Sequence, residues 1–234
     1  MNNILPENTI TLYDAALGGT PDTQGKLAFR TSTGALATQA FAEGCTILDS
    51  IAGQTDAAGY FADPRAIPAL DRAAGYALRF SVQVVAEYHA DSDKNDDGLG
   101  DRAGFSVIVL SSDTKGIELG FWEDQIWAQE QGAAEPPAGT LFTHAESARF
   151  DTTGRMIAYT LAMRDDHYDL SSDGVTILRG RIRDYTAFEG PVNPYRTPNF
   201  IFLGDDTGSA RAVIRLAYVA LTTNDERRKT KDGS

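Results

Sequence analysis

The chain has 234 residues, of which 42% are hydrophobic and 23% charged, and a net charge of −12. That composition belongs to a globular chain long enough to bury a core. The acid excess argues against nucleic acid or an anionic membrane surface as partner, because phosphate binding needs clustered Lys and Arg.

No stretch approaches the roughly 20 apolar residues of a membrane span. The opening Met1-Asn2-Asn3-Ile4-Leu5-Pro6 has neither a basic region nor an apolar one, so no leader is expected within these residues. The lone cysteine, Cys45, excludes an internal disulfide and a cysteine-based zinc site. Within Cys45-Thr46-Ile47-Leu48 it reads as a buried small hydrophobe.

Strand patterns dominate the chain. Residues Pro64 to Ala74 leave room for one short helix. From Gly75 to His89 the chain alternates, with Tyr76, Leu78, Phe80, Val82, Val84, Ala86 and Tyr88 on one face. Arg79, Ser81, Gln83, Glu87 and His89 fall on the other, which predicts a long half-buried strand. Ala103 to Leu110 is apolar on both faces and reads as a central strand. Gly116–Trp122 and Gln125–Gln129 form a predicted hairpin turning at Glu123-Asp124.

Gln131 to Gly139, with Pro136-Pro137, reads as an exposed loop. A meander follows: Met156–Arg164, His167–Leu170 and Val175–Arg183, with turns at Asp165-Asp166 and Ser172-Asp173-Gly174. Asn199–Leu203 and Ala210–Thr222 close the pattern across the turn Gly204-Asp205-Asp206-Thr207-Gly208. Without a sustained 3.6-residue apolar period, the expectation is all-β: an antiparallel β-sandwich. One domain is expected over residues 1–223, followed by a charged, disordered tail over 224–234.

Between the first two of these strands lies Asp91-Ser92-Asp93-Lys94-Asn95-Asp96-Asp97-Gly98-Leu99-Gly100-Asp101, with five aspartates in eleven residues. Asp93, Asn95 and Asp97 occupy positions 1, 3 and 5 of a calcium loop, followed by Gly98. The Leu99 carbonyl and Asp101 complete the candidate ligands. Calcium takes six to eight oxygens, so short alternating carboxylates and amides around a tight turn suit a structural ion. Gly104 stands where a bidentate Glu would be expected, and no helices flank the loop. The competing reading is a solvated acidic hairpin tip.

Glu118-Leu119-Gly120-Phe121-Trp122-Glu123 is the second candidate. Alternation puts Glu118, Gly120 and Trp122 on one face and Ile117, Leu119 and Phe121 on the other. Glu123 could join Glu118 only through a bulge. Trp122, Trp127, Tyr185 and Tyr195 could stack against sugar rings, although most such aromatics in a sandwich fill the core. His89, His144 and His167 form no metal motif.

Four segments carry a family resemblance: Gly104 to Leu110, Gly116 to Phe121, Tyr168-Asp169-Leu170 before Asp173-Gly174, and Asn199 to Thr207. Together, over roughly residues 9 to 222, they resemble the concanavalin A-like lectin/glucanase jelly rolls, in particular the laminin-G-like members. The resemblance implies a jelly-roll β-sandwich and an extracellular or cell-surface location. Its glucanases carry E-x-D-x-x-E, matched here by Glu118 and Glu123 but with Gly120 at the Asp position. Three functions stay open. The first is a non-catalytic module binding a glycan or cell-surface ligand, through Glu118, Trp122, Trp127 and Tyr185, with a structural calcium. The others are a glycoside hydrolase using Glu118 and Glu123, and a structural surface domain without a small ligand.

Overall fold

A computed structural model describes residues 7–53, 56–90, 92–132, 140–190 and 193–224. Its strands, in chain order, are β1 (Glu7–Asp14), β2 (Leu27–Thr31), β3 (Thr38–Ala42), β4 (Cys45–Asp49) and β5 (Ala58–Ala62). Then come β6 (Tyr76–His89), β7 (Phe105–Leu110), β8 (Gly116–Phe121), β9 (Gln125–Gln129) and β10 (His144–Arg149). The last five are β11 (Ile157–Arg164), β12 (His167–Ser172), β13 (Val175–Arg181), β14 (Phe200–Asp205) and β15 (Ala210–Asn224).

They form two antiparallel sheets. One runs β13-β12-β11-β6-β15-β4-β3, with β1 sharing the β4 edge of β15. The other runs β10-β9-β8-β7-β14-β5-β2. This is the jelly-roll sandwich that the strand pattern and the resemblance imply. Distant segments lie side by side: β7 is flanked by β8 and β14, so residues 105–110 sit in the middle of their sheet as expected.

The core follows from alternation. Phe105, Val107 and Val109 of β7 and Ile117, Leu119 and Phe121 of β8 point inward, where they join Leu78, Phe80 and Val82 of β6. Burying each such side chain is worth roughly 1.5–3 kcal/mol relative to leaving it in water. Cys45 is buried as expected, its thiol donating to Ala42 O at 3.4 Å.

Three features depart from the sequence expectations. The inward face of β6 switches near its end: Val84 is buried, Val85 is exposed, and Glu87 rather than Tyr88 is buried. The cause is a bulge at Val85, because Val84 pairs with Ile214 while Ala86 pairs with Val213. A second bulge, at Ala217 of β15, returns the ladder to its starting offset. Residues Pro64 to Ala74 hold turns rather than a helix, fastened by Leu70 N donating to Asn199 Oδ1 at 2.7 Å. Short strands β1 to β5 precede the alternating segment. Residues 133–139 of the expected loop and residues 225–234 of the expected tail lie outside the described residues, whereas Asn224 ends β15.

Candidate functional site

β7 and β8 are buried on both faces, so the outer face of their sheet is itself covered. The cover is the segment after β13. Tyr185, Phe188 and Tyr195 pack with Phe142 onto Ile108 and Phe202, forming a second apolar cluster outside the sandwich. Asn193 caps the short 3-10 turn Pro194–Arg196 that carries Tyr195, its Oδ1 accepting from Tyr195 N at 3.0 Å.

Antiparallel register lines up a row of outward residues across the sheet: Phe61, Phe202, Ile108, Glu118 and, beside the Leu119–Ala128 pair, Gln129. The neighbouring row is Gly59, Gly204, Ser106, Gly120 and Trp127. Small residues there hold the floor low. A Cβ at Gly204 would lie 2.4 Å from Ala58 O, and one at Gly120 would lie 2.8 Å from the Trp127 ring.

Between floor and cover lies a cavity of about 530 Å³, with aromatic walls that include Phe61, Phe142, Phe188 and Tyr195. Its floor is polar. Glu118 is 2% exposed, and its Oε2 accepts from Tyr195 Oη at 2.5 Å. Glu118 also hydrogen-bonds Asp206, which in turn takes the Ser106 hydroxyl. Burial, then the charge of Asp206, raises the Glu118 carboxyl well above its ordinary range. Asp206 is raised too, chiefly by burial. Two desolvated carboxyls joined by a hydrogen bond favour sharing a proton over ionising together.

Asp205, one residue earlier, is raised to about 9 by burial and accepts from Ser50 Oγ at 2.6 Å. Tyr185 Oη donates to Gln129 O at 2.8 Å and accepts from Glu118 N at 3.2 Å. Gln129 lines the cavity, is 3% exposed, and its Oε1 has no hydrogen-bond partner. Trp127 Nε1 in the neighbouring row is likewise buried without a partner.

The acidic loop is arranged differently. Asp93 accepts from Asp97 N at 3.1 Å and Gly98 N at 2.7 Å. These amides, Gly98 first, hold its carboxyl below the usual range. Asp97 accepts from Leu99 N at 2.8 Å and Asn95 Nδ2 at 2.9 Å. Asp101, fully buried, accepts from Lys94 N and His144 N, each at 2.7 Å.

The expected ligands Asp93, Asn95, Asp97, Leu99 and Asp101 thus share one turn, in which the three aspartates accept from backbone N–H donors. Among the described residues no three acidic, His or Cys side chains are grouped to hold a metal. A carboxylate oxygen that accepts one N–H keeps a lone pair for a cation, so these bonds are compatible with calcium.

The other sequence candidates separate. Glu118 lies on the cavity floor, whereas Glu123 sits in the turn after β8 and accepts from Glu87 N of the opposite sheet at 3.2 Å. No bulge brings Glu123 to Glu118. Trp127 is fully buried, lies over Gly120 and stacks on His144 with ring centroids 3.9 Å apart. Trp122 stacks on His89 at 4.2 Å and donates to Arg102 O at 2.7 Å. Tyr185 is fully buried within the covering segment and does not line the cavity.

Trp127 and Tyr185 therefore support the site rather than offering open faces. Tyr195 and the phenylalanines line it instead. His144, its pKa lowered by burial, donates from Nδ1 to Gly100 O at 2.8 Å and so ties the acidic loop to β10. His167 pairs with Asp166 at an exposed turn.

Sequence reasoning found Glu118 but missed Asp206, Gln129 and Asp205. Asp206 lies in a run that reads as a turn, and nothing in the spacing marks Gln129. The one available clue was that Asp205-Asp206 directly follows the apolar strand Phe200–Leu203.

No protein-family model matches the chain, and a search among curated proteins returns no match. Solved structures do match in fold. A carbohydrate esterase from the Shiga toxin-encoding bacteriophage phi24B is 13% identical with a TM-score of 0.55, covering 93% of this chain and 100% of that one. A sialidase is 13% identical with a TM-score of 0.54, covering 91% of this chain but only 18% of that chain. The carbohydrate recognition domain of Emp46p, in a potassium-bound form, is 9% identical with a TM-score of 0.51, covering 90% and 95%. At such identities the likeness speaks for the fold alone.

Proposed function

We propose that this chain is a saccharide-binding jelly roll whose ligand enters the cavity on the outer face of the β10-to-β2 sheet. One observation carries the reading: a cavity of about 530 Å³ with aromatic walls opens over a floor where Glu118 and Asp206 share a hydrogen bond. Sugar rings present apolar C–H faces and a rim of hydroxyls, which suits aromatic walls around a few fixed polar groups. The carbohydrate recognition domain and the carbohydrate esterase with this fold support the choice of ligand class.

The reading is of a binding module. The hydrolase alternative relied on Glu118 and Glu123 as a pair, and these two carboxyls face different partners. Retaining hydrolysis needs two carboxyls about 5–5.5 Å apart on either side of the scissile bond. Glu118 instead shares a hydrogen bond with Asp206, which leaves no room for a substrate between them.

An oligosaccharide array spanning neutral, acidic and amino sugars tests the proposal. Retention on at least one class is expected, lost in Gln129→Met and kept in Asp97→Ala. Retention on none would overturn it. Calcium in the loop 93–101 stands as a separate proposal, supported by the spacing of its oxygens, and is tested by thermal melting below.

A further inference from the structure

The lining of the cavity is ordered along the sheet. Register places Glu118 of β8, Ile108 of β7, Phe202 of β14 and Phe61 of β5 in one outward row. That row is polar at β8 and apolar across the next three strands, a stretch of roughly 10 Å at the usual strand spacing. Phe61 meets Phe202 with ring centroids 4.8 Å apart and Phe200 at 5.6 Å, which makes one group of rings on the floor. The cover brings a second group, in which Phe142 meets Phe188 at 5.4 Å and Tyr195 at 5.1 Å. Both groups line the cavity. At its far end it is lined by Arg30 and Thr31 of edge strand β2 and by Ser32, all three exposed.

We propose that the ligand is a saccharide carrying an aromatic ring, with the ring seated between the two aromatic groups and the sugar at the exposed β2 end. The inference rests on the saccharide reading above and names the part of the ligand that goes deepest. A sugar ring carries hydroxyls around its edge. Those sunk beside Ile108, Ala103 or Pro194 would lose water and find no polar side chain in its place. An aryl ring brings no such hydroxyls, and paired rings gain more than the area they bury.

The rest of the lining fits this orientation. The Phe202 ring leans over Gly59 and Gly204, where a Cβ would fall 2.4 Å from its Cε2 and 3.1 Å from its Cζ. A side chain at either glycine would lift that ring into the space the aryl group needs. Glu118, held by Tyr195 Oη and Asp206, closes the apolar stretch at its β8 end. At the β2 end, Arg30 Nη1 donates to Phe29 O at 3.0 Å, and Thr31 stands exposed beside it. Sugar hydroxyls seated there meet polar groups that water already reaches.

Titration calorimetry with the methyl, octyl and phenyl glycosides of glucose, galactose and mannose, and with phenol, tests this. The phenyl glycosides should bind one to one, at least about tenfold tighter than the methyl ones and tighter than the octyl ones. Phe188→Ala, which removes a half-buried ring from the cover, should cut the tenfold advantage to less than about threefold. An advantage unchanged in that variant overturns the seating of the ring. Phenyl and methyl glycosides that bind equally overturn the aryl inference and leave the saccharide reading standing. Octyl glycosides that match the phenyl ones overturn the preference for an aromatic ring. Phenol that binds as tightly as its glycosides upholds the ring and sinks the saccharide. No binding by any probe overturns the aryl inference, and the oligosaccharide array then decides the saccharide reading by itself.

Discussion

The acidic loop at 92–101 and the cavity floor make opposite use of carboxylates. In the loop, Asp93, Asp97 and Asp101 sit in a tight turn whose own amides satisfy them. On the floor, Glu118 of β8 and Asp206 just after β14 come from segments far apart in sequence and meet in a desolvated space. The loop holds more acid, yet the room for a ligand lies over the floor. Acid density along a sequence measures solvation and local capping as readily as it measures a site. What marks a site is open space beside groups the fold has desolvated.

Four measurements break or sharpen that contrast. The largest effect is expected at Asp101, the one loop carboxylate that is fully buried. Asp101→Ala strips the Lys94 and His144 amides of a charged acceptor and should cost about 3 kcal/mol in urea unfolding. A loss below about 1 kcal/mol would show that the loop does not depend on this anchor.

The second effect is a pH slope. Asp205 is raised to about 9, so between the ordinary carboxylate range and that value the folded chain holds a proton that the unfolded chain has released. Its stabilisation is therefore full in acid and drains away as pH climbs from about 4 to about 9. Asp205→Asn should flatten the slope and, at pH 8, stabilise by on the order of 2 kcal/mol. A wild-type melting temperature that rises toward pH 9 would contradict the assignment.

Third, Glu118→Gln should change stability by less than about 1 kcal/mol, because burial disfavours the charged carboxyl and the amide can keep the hydrogen bond to Asp206. A loss several times larger would place the proton elsewhere. Last, Asp97→Ala should move the melting temperature by only about 1 °C without added metal. Millimolar calcium is the sharper probe. Calcium in the loop should raise the melting temperature by several degrees, and Asp97→Ala should remove the rise, whereas melting unchanged by calcium and chelator overturns the calcium proposal.

Much of the fold could be read from the residues. Alternation from Tyr76 to Val84 marks β6, and the turns at Asp165-Asp166 and Asp173-Gly174 mark the meander of β11 to β13. Strands β2 to β5 are harder to see. Each is only five residues long, and β3 is mostly exposed, so its period-2 pattern has no core face to reveal it. The site was legible only at Glu118 and Tyr195. Its partners depend on pairing between β7, β8 and β14, a long-range register that no local window contains. The same limit hid Trp127 beneath His144, since solvent access is a property of the covering segment and not of the strand.

The paired bulges at Val85 and Ala217 add one residue to each of two neighbouring strands. Between them the ladder is offset by a single step, and beyond them it is back in phase, so both ends of the longest pairing in the molecule close without an overhang. Removing either residue alone should therefore leave one terminus of that pairing mismatched, either at Glu87 or near Tyr76. Removing both should restore the match, so the two deletions are expected to be individually harmful and mutually suppressing. Their epistasis in a stability screen would be a direct reading of how this sheet counts its residues.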